Sequence, residues 1–473
     1  MKSLFSKLKP NVLYLLIQRK LSTSQIIAIS FLLVIFIGAV LLYLPISQQE
    51  GNDVSFLDAL FTSASAVCVT GLTTVTTATT WNLFGKTIIM FLIQIGGLSL
   101  ITIFTFFTVY IGKKISLKER LTVQAAFNVN EISGMVRMVL LVIRGTLLCE
   151  GTGAVILTGF FLKQGMPWYQ ALYYGLFHSV SAFCNAGFDI VGDKSFIPFS
   201  GSIVLNLTIV FLIVVGGIGF TVWRDVYTKI RYMVTPRLKK KYKLSVHSRL
   251  ALIMTGCLIA AGTLYFFVAE FSNPETLGLL SVPQKLLASL FQSVTLRTAG
   301  FATIAQGGLS EASKLVSSIF MLIGGSPGGT AGGMKTVTVA IVLCCVWSTI
   351  KGYNHITVFE RTIPTSILQK SLTIIFIMLF LWLGGTAMLI ISEHASVFQH
   401  NSADILFEVA SALGTVGLST GITPFLSVLG KWVIITCMII GRIGPITIII
   451  SLMSRKMQIN ERIQYPEEEV MIG

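Results

Sequence analysis

Four short segments of this 473-residue chain share one pattern, in which two small, polar or β-branched residues are followed by glycine and then by a large apolar side chain. They are Val69-Thr70-Gly71-Leu72, Asn185-Ala186-Gly187-Phe188, Thr298-Ala299-Gly300-Phe301 and Thr415-Val416-Gly417-Leu418. The glycines fall at 71, 187, 300 and 417, intervals of 116, 113 and 117 residues that chance would not make so even. The chemistry open to such segments belongs to the backbone. Rings of carbonyl oxygens can replace the hydration shell of a bare cation, and glycine permits the φ values and close approach this requires. Thr415-Val416-Gly417 repeats the T-V-G opening of a potassium filter. The three residues ending in each glycine are therefore the candidate ion-binding residues, with K+ as the ion.

A second echo follows each glycine by about 24 to 29 residues: Ile95-Gly96-Gly97, Val215-Gly216-Gly217, Ile323-Gly324-Gly325 and Ile440-Gly441-Arg442. In the fourth copy arginine replaces the second glycine. A charge at membrane depth is costly and is a functional candidate by default. Arg442 is expected to face the pore, as an electrostatic barrier that thins cation occupancy and as a tether; a purely structural bond to a carbonyl is the plainer alternative. The third copy expands into three glycine pairs, Gly324 with Gly325, Gly328 with Gly329 and Gly332 with Gly333, with Pro327 among them and Lys335 just after. No regular helix tolerates that density. A gate beneath the filter is the expectation, against a fixed kink.

Other polar residues stand inside apolar stretches. Arg297 is expected to brace the third loop by bonding backbone carbonyls, the alternative being that it crowds the filter; His178 is expected to pack and Asn185 to line the filter. Arg144 and Glu150, six positions apart on one helix, share no face and should each find a different structural partner. Enzymatic readings find no support: the five histidines are scattered, no H-E-x-x-H or G-x-x-x-x-G-K-[ST] occurs, and seven cysteines without C-x-x-C spacing suggest neither disulfides nor zinc. No cofactor is expected in the chain.

The elements that must position these residues follow from composition. With 53% hydrophobic and 12% charged residues, a bilayer must be the solvent for much of the chain. The segments Phe61 to Gly71, Phe177 to Gly187, Phe291 to Gly300 and Phe407 to Gly417 are too short to cross and read as re-entrant half-helices. Spanning helices are expected before them (Ile26 to Leu44, Val139 to Leu162, Ala251 to Ala269, Leu372 to Ile391) and after them (Thr87 to Val109, Ile203 to Val222, Leu315 to Ser348, Trp432 to Met453). The result is an all-α integral membrane fold of four helix, pore-loop and helix repeats, with eight transmembrane helices around one pseudo-four-fold pore. The repeats are drawn at 1–115, 116–235, 236–355 and 356–473. Unpaired backbone at membrane depth survives only where it lines a cavity or is buried. Tight helix packing through small residues is the alternative use of the glycines, but it explains neither the even spacing nor the half-helices.

Charge tests the topology. Of 35 Lys and Arg, 25 fall in the N-terminus, the loops near 113–137, 224–249 and 351–370, and the C-terminus, and six fall on the opposite side. That places both termini in the cytoplasm of a multi-pass protein of the cell membrane. The net charge of +15 is thereby explained without nucleic acid. The basic stretch 224–249 would meet anionic lipid or a regulatory partner, and the acidic tail Glu467 to Glu469 is read as solvated or at a dimer contact.

The loops, with Ser293 to Phe301 and Phe183 to Phe188, resemble those of the Trk/Ktr/HKT superfamily of potassium transporters. The likeness covers nearly the whole chain, and extends to Gly324 to Gly333, which matches the family's intramembrane gating loop, and to Gly441 to Pro445, which matches its last pore helix. The chain lacks the extra N-terminal helical pair of long members and so is similar to the short Ktr-type membrane subunit. That resemblance implies potassium uptake, a homodimer with one pore per protomer, and a cytosolic nucleotide-binding ring of RCK/KTN type carrying ATP or ADP. It leaves sodium coupling open. A serine at the first filter position goes with sodium permeation in plant members, so Gly71 argues for potassium. The competing class is an alternating-access carrier of a small solute, because broken helices and repeats mark those proteins too; the repeated polar element here is backbone, which suits a bare ion.

Overall fold

The computed structural model describes residues 22–111, 121, 124, 135–234, 242–353, 355–394, 401–445 and 447–449. Four uninterrupted helices, α1 (Thr23–Tyr43), α5 (Met135–Lys163), α9 (Val246–Ala269) and α13 (Thr365–Glu393), are each long and apolar enough to cross a bilayer. Each is followed by a half-helix: α2 (Phe56–Val67), α6 (Trp168–Phe183), α10 (Val282–Thr295) and α14 (Ser402–Gly414). With 12 to 16 residues, these reach only about 18–24 Å at 1.5 Å per residue. Their starts are set by caps, with Ser55 and Asn401 accepting backbone N–H groups and Ser281 forming a capping box with Gln284. The half-helices start a few residues before the buried phenylalanines that mark them in the sequence.

The second helix departs from the single spans expected at Thr87 to Val109, Ile203 to Val222 and Trp432 to Met453, whereas within Leu315 to Ser348 the structure has the break expected at the glycine pairs. In the first repeat α3 (Leu83–Leu98) turns by 91° into α4 (Leu100–Tyr110), and in the second α7 (Ile203–Gly217) turns by 100° into α8 (Phe220–Val234). In the third, residues 323–335 separate α11 (Glu311–Leu322) from α12 (Thr336–Ile350). In the fourth, α15 (Val428–Ile443) stops at Gly444. Left-handed φ angles at the breaks, +69° at Ser99, +99° at Gly219 and +92° at Gly444, end the helical ladder and release its last carbonyls. All four breaks lie within three residues of the second glycine echo or its arginine.

First spans and half-helices meet through glycine. A Cβ on Gly38, Gly153 or Gly262 would collide with the half-helix serine facing it, Ser63, Ser179 or Ser293, and one on Gly385 would press on Val409 at 3.0 Å. The three serines donate hydrogen bonds to Ile35, Glu150 and Ile259 carbonyls at 2.7, 2.6 and 2.9 Å. Phe61, Phe177, Phe291 and Phe407, one per half-helix, are all fully buried. Neighbouring repeats are also pinned at their outer ends, where Lys314 meets Asp404 and Lys431 meets Asp58, each at 2.8 Å. A short hairpin, β1 (Thr357–Val358) and β2 (Arg361–Thr362), precedes α13. The fold is thus all-helical, with four re-entrant loops gathered around one axis.

Candidate ion filter and gate

At each half-helix end the chain adopts the same conformation. Val69, Asn185, Thr298 and Thr415 have φ of +56°, +59°, +67° and +52°, and the glycines two residues on have +95°, +69°, +80° and +95°. An L-residue rarely takes such angles, and four at equivalent positions mark a built feature. Alternating the sign of φ turns successive peptide groups to one side, which is what a column of carbonyls needs.

The glycines form a closed ring. A Cβ on Gly71 would lie 2.5 Å from the Ala186 carbonyl oxygen; on Gly187, 2.8 Å from that of Ala299; on Gly300, 2.6 Å from that of Val416; and on Gly417 it would run into the Thr70 carbonyl. Each repeat therefore touches the next in the order one, two, three, four and back to one, with only hydrogen atoms fitting between. Behind the ring, hydroxyls fix the strands. Ser65 and Ser411 accept from the Gly71 and Gly417 N–H groups at 3.0 and 3.1 Å, while Ser181 and Thr295 donate to the carbonyls of Phe188 and Phe301 at 2.7 and 2.6 Å. These four hydroxyls were not singled out in the sequence, although they precede the loop glycines by six, six, six and five residues, a spacing that could have found them.

Asn185 shares the left-handed backbone of the four loops, but its side-chain amide donates to the carbonyls of Ala182 and Ile213 at 3.2 and 3.3 Å. His178 does more than pack: its ring joins the Tyr174 carbonyl at 2.7 Å to the Ile190 N–H at 3.3 Å, so the neutral tautomer with hydrogen on Nδ1 ties the half-helix to the loop beyond the filter. Arg297 corrects the expectation of carbonyl bracing. It is buried, its Nη2 donates to the Thr255 hydroxyl at 3.3 Å, and its Nε has no partner among the described residues. Glu150 accepts from Gln94 at 3.2 Å and faces the Cys184 thiol. Arg144 is exposed on α5, with no partner among the described residues, so the structural partner expected for it is not found.

Beneath the filter, the loop from Gly324 to Gly333 is folded back and held at several points. Gly324 N–H donates to Met334 and Met334 N–H to Leu322, while Ser326 and Thr330 donate to Gly217 and Gly216 at the break between α7 and α8. The Thr330 hydroxyl also donates to the Phe183 carbonyl at 3.1 Å, which ends the second half-helix. Gly332 has no room for a side chain, because a Cβ there would strike Thr415 of the fourth filter strand. Arg442 donates to the Thr330 carbonyl in this loop and to the Gly96 carbonyl at the break between α3 and α4. Lys335 caps the Ala331 carbonyl at 2.8 Å. The loop, Lys335 and Arg442 line one cavity of about 600 Å³, which also reaches Ile27, Phe31 and Met378. Of the basic stretch 224–249, Arg237 and Lys239 to Lys241 lie outside the described residues, as do Glu467 to Glu469, the N-terminal lysines Lys2, Lys7, Lys9 and Lys20 with Arg19, and most of the loop near 113–137.

Comparison with known proteins agrees with this geometry. A family model described as TrkH, cation transport protein, matches residues 9–460. The Ktr system potassium uptake protein B of Bacillus subtilis is 41% identical over 95% of this chain and 96% of its own length. The potassium/sodium uptake protein NtpJ of Enterococcus hirae is 38% identical over 97% of this chain and 98% of its own. The solved structure of TrkH from Vibrio parahaemolyticus superimposes with a TM-score of 0.68 over 90% of this chain and 85% of its own, at 20% identity, a likeness of fold. On these matches and the shared architecture, the chain belongs to the TrkH family of cation transport proteins.

Proposed function

We propose that this protein takes up potassium through the glycine ring, driven by the inside-negative membrane potential. The observation that carries the reading is the four-fold contact of Gly71, Gly187, Gly300 and Gly417, each lacking room for a Cβ against the next repeat. A ring of that kind can present only backbone oxygen to an ion, and four half-helices aim the negative ends of their dipoles at it. The relatives named for potassium uptake support the choice of ion. Sodium enters as a stimulating or co-transported ion, in line with the name of the Enterococcus relative.

The 324–333 loop is the gate, and Arg442 and Lys335 hold it across the path as positive charges. Opening requires the Thr330 and Ala331 carbonyls to leave these two side chains. The name "Ktr system" belongs to relatives that work as parts of a system, and we assign control of the loop to a cytosolic nucleotide-binding ring carrying ATP or ADP beneath a homodimer of this chain. Both termini face the cytoplasm in this arrangement.

The test is ion uptake into liposomes holding the purified chain, with an inside-negative potential imposed and K+ and Na+ measured in parallel. Saturable K+ uptake that Na+ does not replace supports the filter. Equal fluxes of both ions would overturn its selectivity, and absence of flux that persists after addition of the cytosolic partner would overturn the channel-like reading.

A further inference from the structure

The residue following the buried phenylalanine of each half-helix differs between repeats: Thr62, His178, Gln292 and Glu408. All four are fully buried. Three are neutral and hydrogen-bonded. Thr62 donates to the Asp58 carbonyl at 2.8 Å, His178 bridges Tyr174 and Ile190, and Gln292 forms a mutual amide pair with Gln306 at 2.7 and 3.0 Å. Glu408 alone carries an ionisable carboxyl, and no Lys or Arg pairs with it among the described residues. The neighbouring charge that acts on it, Asp404, has the same sign.

Its surroundings are oxygen-rich. One carboxylate oxygen accepts from the Thr423 hydroxyl, and the Ser419 hydroxyl stands 3.0 Å from that of Thr423. The Ser419 side chain and the Thr420 backbone N–H also face the carboxyl. The other carboxylate oxygen, Oε2, and the Thr420 hydroxyl are both buried without a hydrogen-bond partner. Two buried oxygens are thus left without a partner among the described residues, a rare condition in a native interior. A buried carboxylate without a counter-charge is costly. A cation held between these oxygens resolves both problems.

We infer that Glu408, with the hydroxyls of Ser419, Thr420 and Thr423, forms a Na+ site behind the fourth filter strand. One carboxylate and a few neutral hydroxyls make a hard donor set of single negative charge, which suits a small monovalent ion; calcium sites recruit more carboxylates, and no cluster of three acidic, His or Cys residues occurs among the described residues. The site joins the half-helix α14 to the segment 417–423, so its occupancy stiffens Gly417 and the ring. This inference rests on reading the four loops as the filter and assigns to sodium a bracing role there.

The experiment is thermal unfolding of the purified full-length chain in detergent, titrated with NaCl and separately with KCl, with choline chloride keeping ionic strength constant. Glu408→Gln is the main variant, because Gln292 already occupies the equivalent place in the third repeat. The wild type is expected to show a saturable rise in melting temperature with Na+, and Glu408→Gln to need at least about tenfold more Na+ for half the effect. Thr420→Val should weaken the Na+ response in the same direction, and the K+ response should persist in both variants. Identical Na+ responses in wild type and Glu408→Gln would overturn the site, as would a wild type without any Na+ response. A melting temperature that responds to pH through Glu408 but not to Na+ would also overturn it, by showing a protonated carboxyl. Loss of the K+ response in the wild type would count against the filter itself, which keeps the two failures distinguishable.

Discussion

Lys431, one turn into α15, bonds the carboxylate of Asp58 at the start of α2, at 2.8 Å and across 373 positions of sequence. It closes the circle of repeats, joining the fourth to the first, and Lys314 with Asp404 makes the same join between third and fourth. The lysines stand four residues after the caps Ser427 and Ser310, and the aspartates three residues after the caps Ser55 and Asn401, so the pairs are quasi-equivalent. In a double-mutant cycle of Asp58→Asn and Lys431→Met, unfolding of the purified protein should give a coupling of about 0.5–1 kcal/mol, the upper part of the range for partly exposed pairs. Coupling near zero would mean the ring is closed by backbone contact alone.

The same carboxylate predicts a direction with pH. Burial would raise its pKa, but hydrogen bonds from Lys431, Ser55 and Thr74 outweigh that and hold it below its usual 3.8. A depressed carboxylate contributes stability that is complete above the unfolded value and is lost as pH falls through the folded one. Acid sensitivity from Asp58 should therefore appear below about pH 4, and Asp58→Asn should flatten the melting profile there while leaving neutral pH stability lower. A profile unchanged by the substitution would remove Asp58 from the acid response.

Gly71 has φ of +95° and faces the Ala186 carbonyl, so Gly71→Ser meets both backbone strain and a collision. Strain of this kind amounts to about 1–3 kcal/mol, enough to distort one strand without unfolding the whole. We expect K+ uptake to fall and the K+ to Na+ preference to drop by about tenfold or more, as about 1.4 kcal/mol of lost discrimination would do. Selectivity unchanged in liposome flux would exclude the first loop from the filter.

The glycine spacing made the four re-entrant loops and their half-helices legible in the sequence, because an element that recurs four times can be read by comparison with itself. The straight second spans were misread for a physical reason. Apolar composition continues across Leu98-Ser99-Leu100 and Gly217-Ile218-Gly219, and only the dihedral angles reveal that the helices turn there. Arg297 was misplaced similarly: its partner, the Thr255 hydroxyl on α9, lies on another element that sequence order does not bring near. Arg442 could be singled out as the exception to a repeated glycine, whereas its bond to Gly96 joins the fourth repeat to the first and needs the closed ring.

Glu270 offers a second acid-sensitive joint, at the end of α9. Its carboxylate accepts from Ser310 N–H and hydroxyl at 3.2 and 2.8 Å, and from Asn273 and Thr276 at 2.6 and 2.8 Å. Burial pushes its pKa up, yet these donors together bring it below the ordinary 4.5. The contribution is present above about pH 4.5 and lost as pH falls below it. Glu270→Gln keeps the shape but turns two acceptor oxygens into one, and should lower stability at neutral pH by about 1–3 kcal/mol. A variant as stable as the parent at pH 7 would show the four donors to be equally satisfied by water.

Arg442 holds the Thr330 carbonyl of the loop and the Gly96 carbonyl of the first repeat at once, so it couples the loop to the closed ring. Replacing it removes a charge from the cavity and one of the loop's anchors. On the gate reading proposed above, both effects act in the same direction on flux, since a positive charge repels K+ and the tether would keep the loop across the path. Arg442→Gln should therefore raise uptake, and Arg442→Lys should retain the charge while losing the two-carbonyl grip. If the barrier is electrostatic, the lysine variant stays close to wild type; if the tether dominates, lysine and glutamine variants conduct alike. Deleting residues 326–331 should raise flux beyond either substitution. Uptake below wild type in the folded glutamine variant, or no gain on deletion, would mean that Arg442 and the loop support the filter from beneath and do not obstruct it.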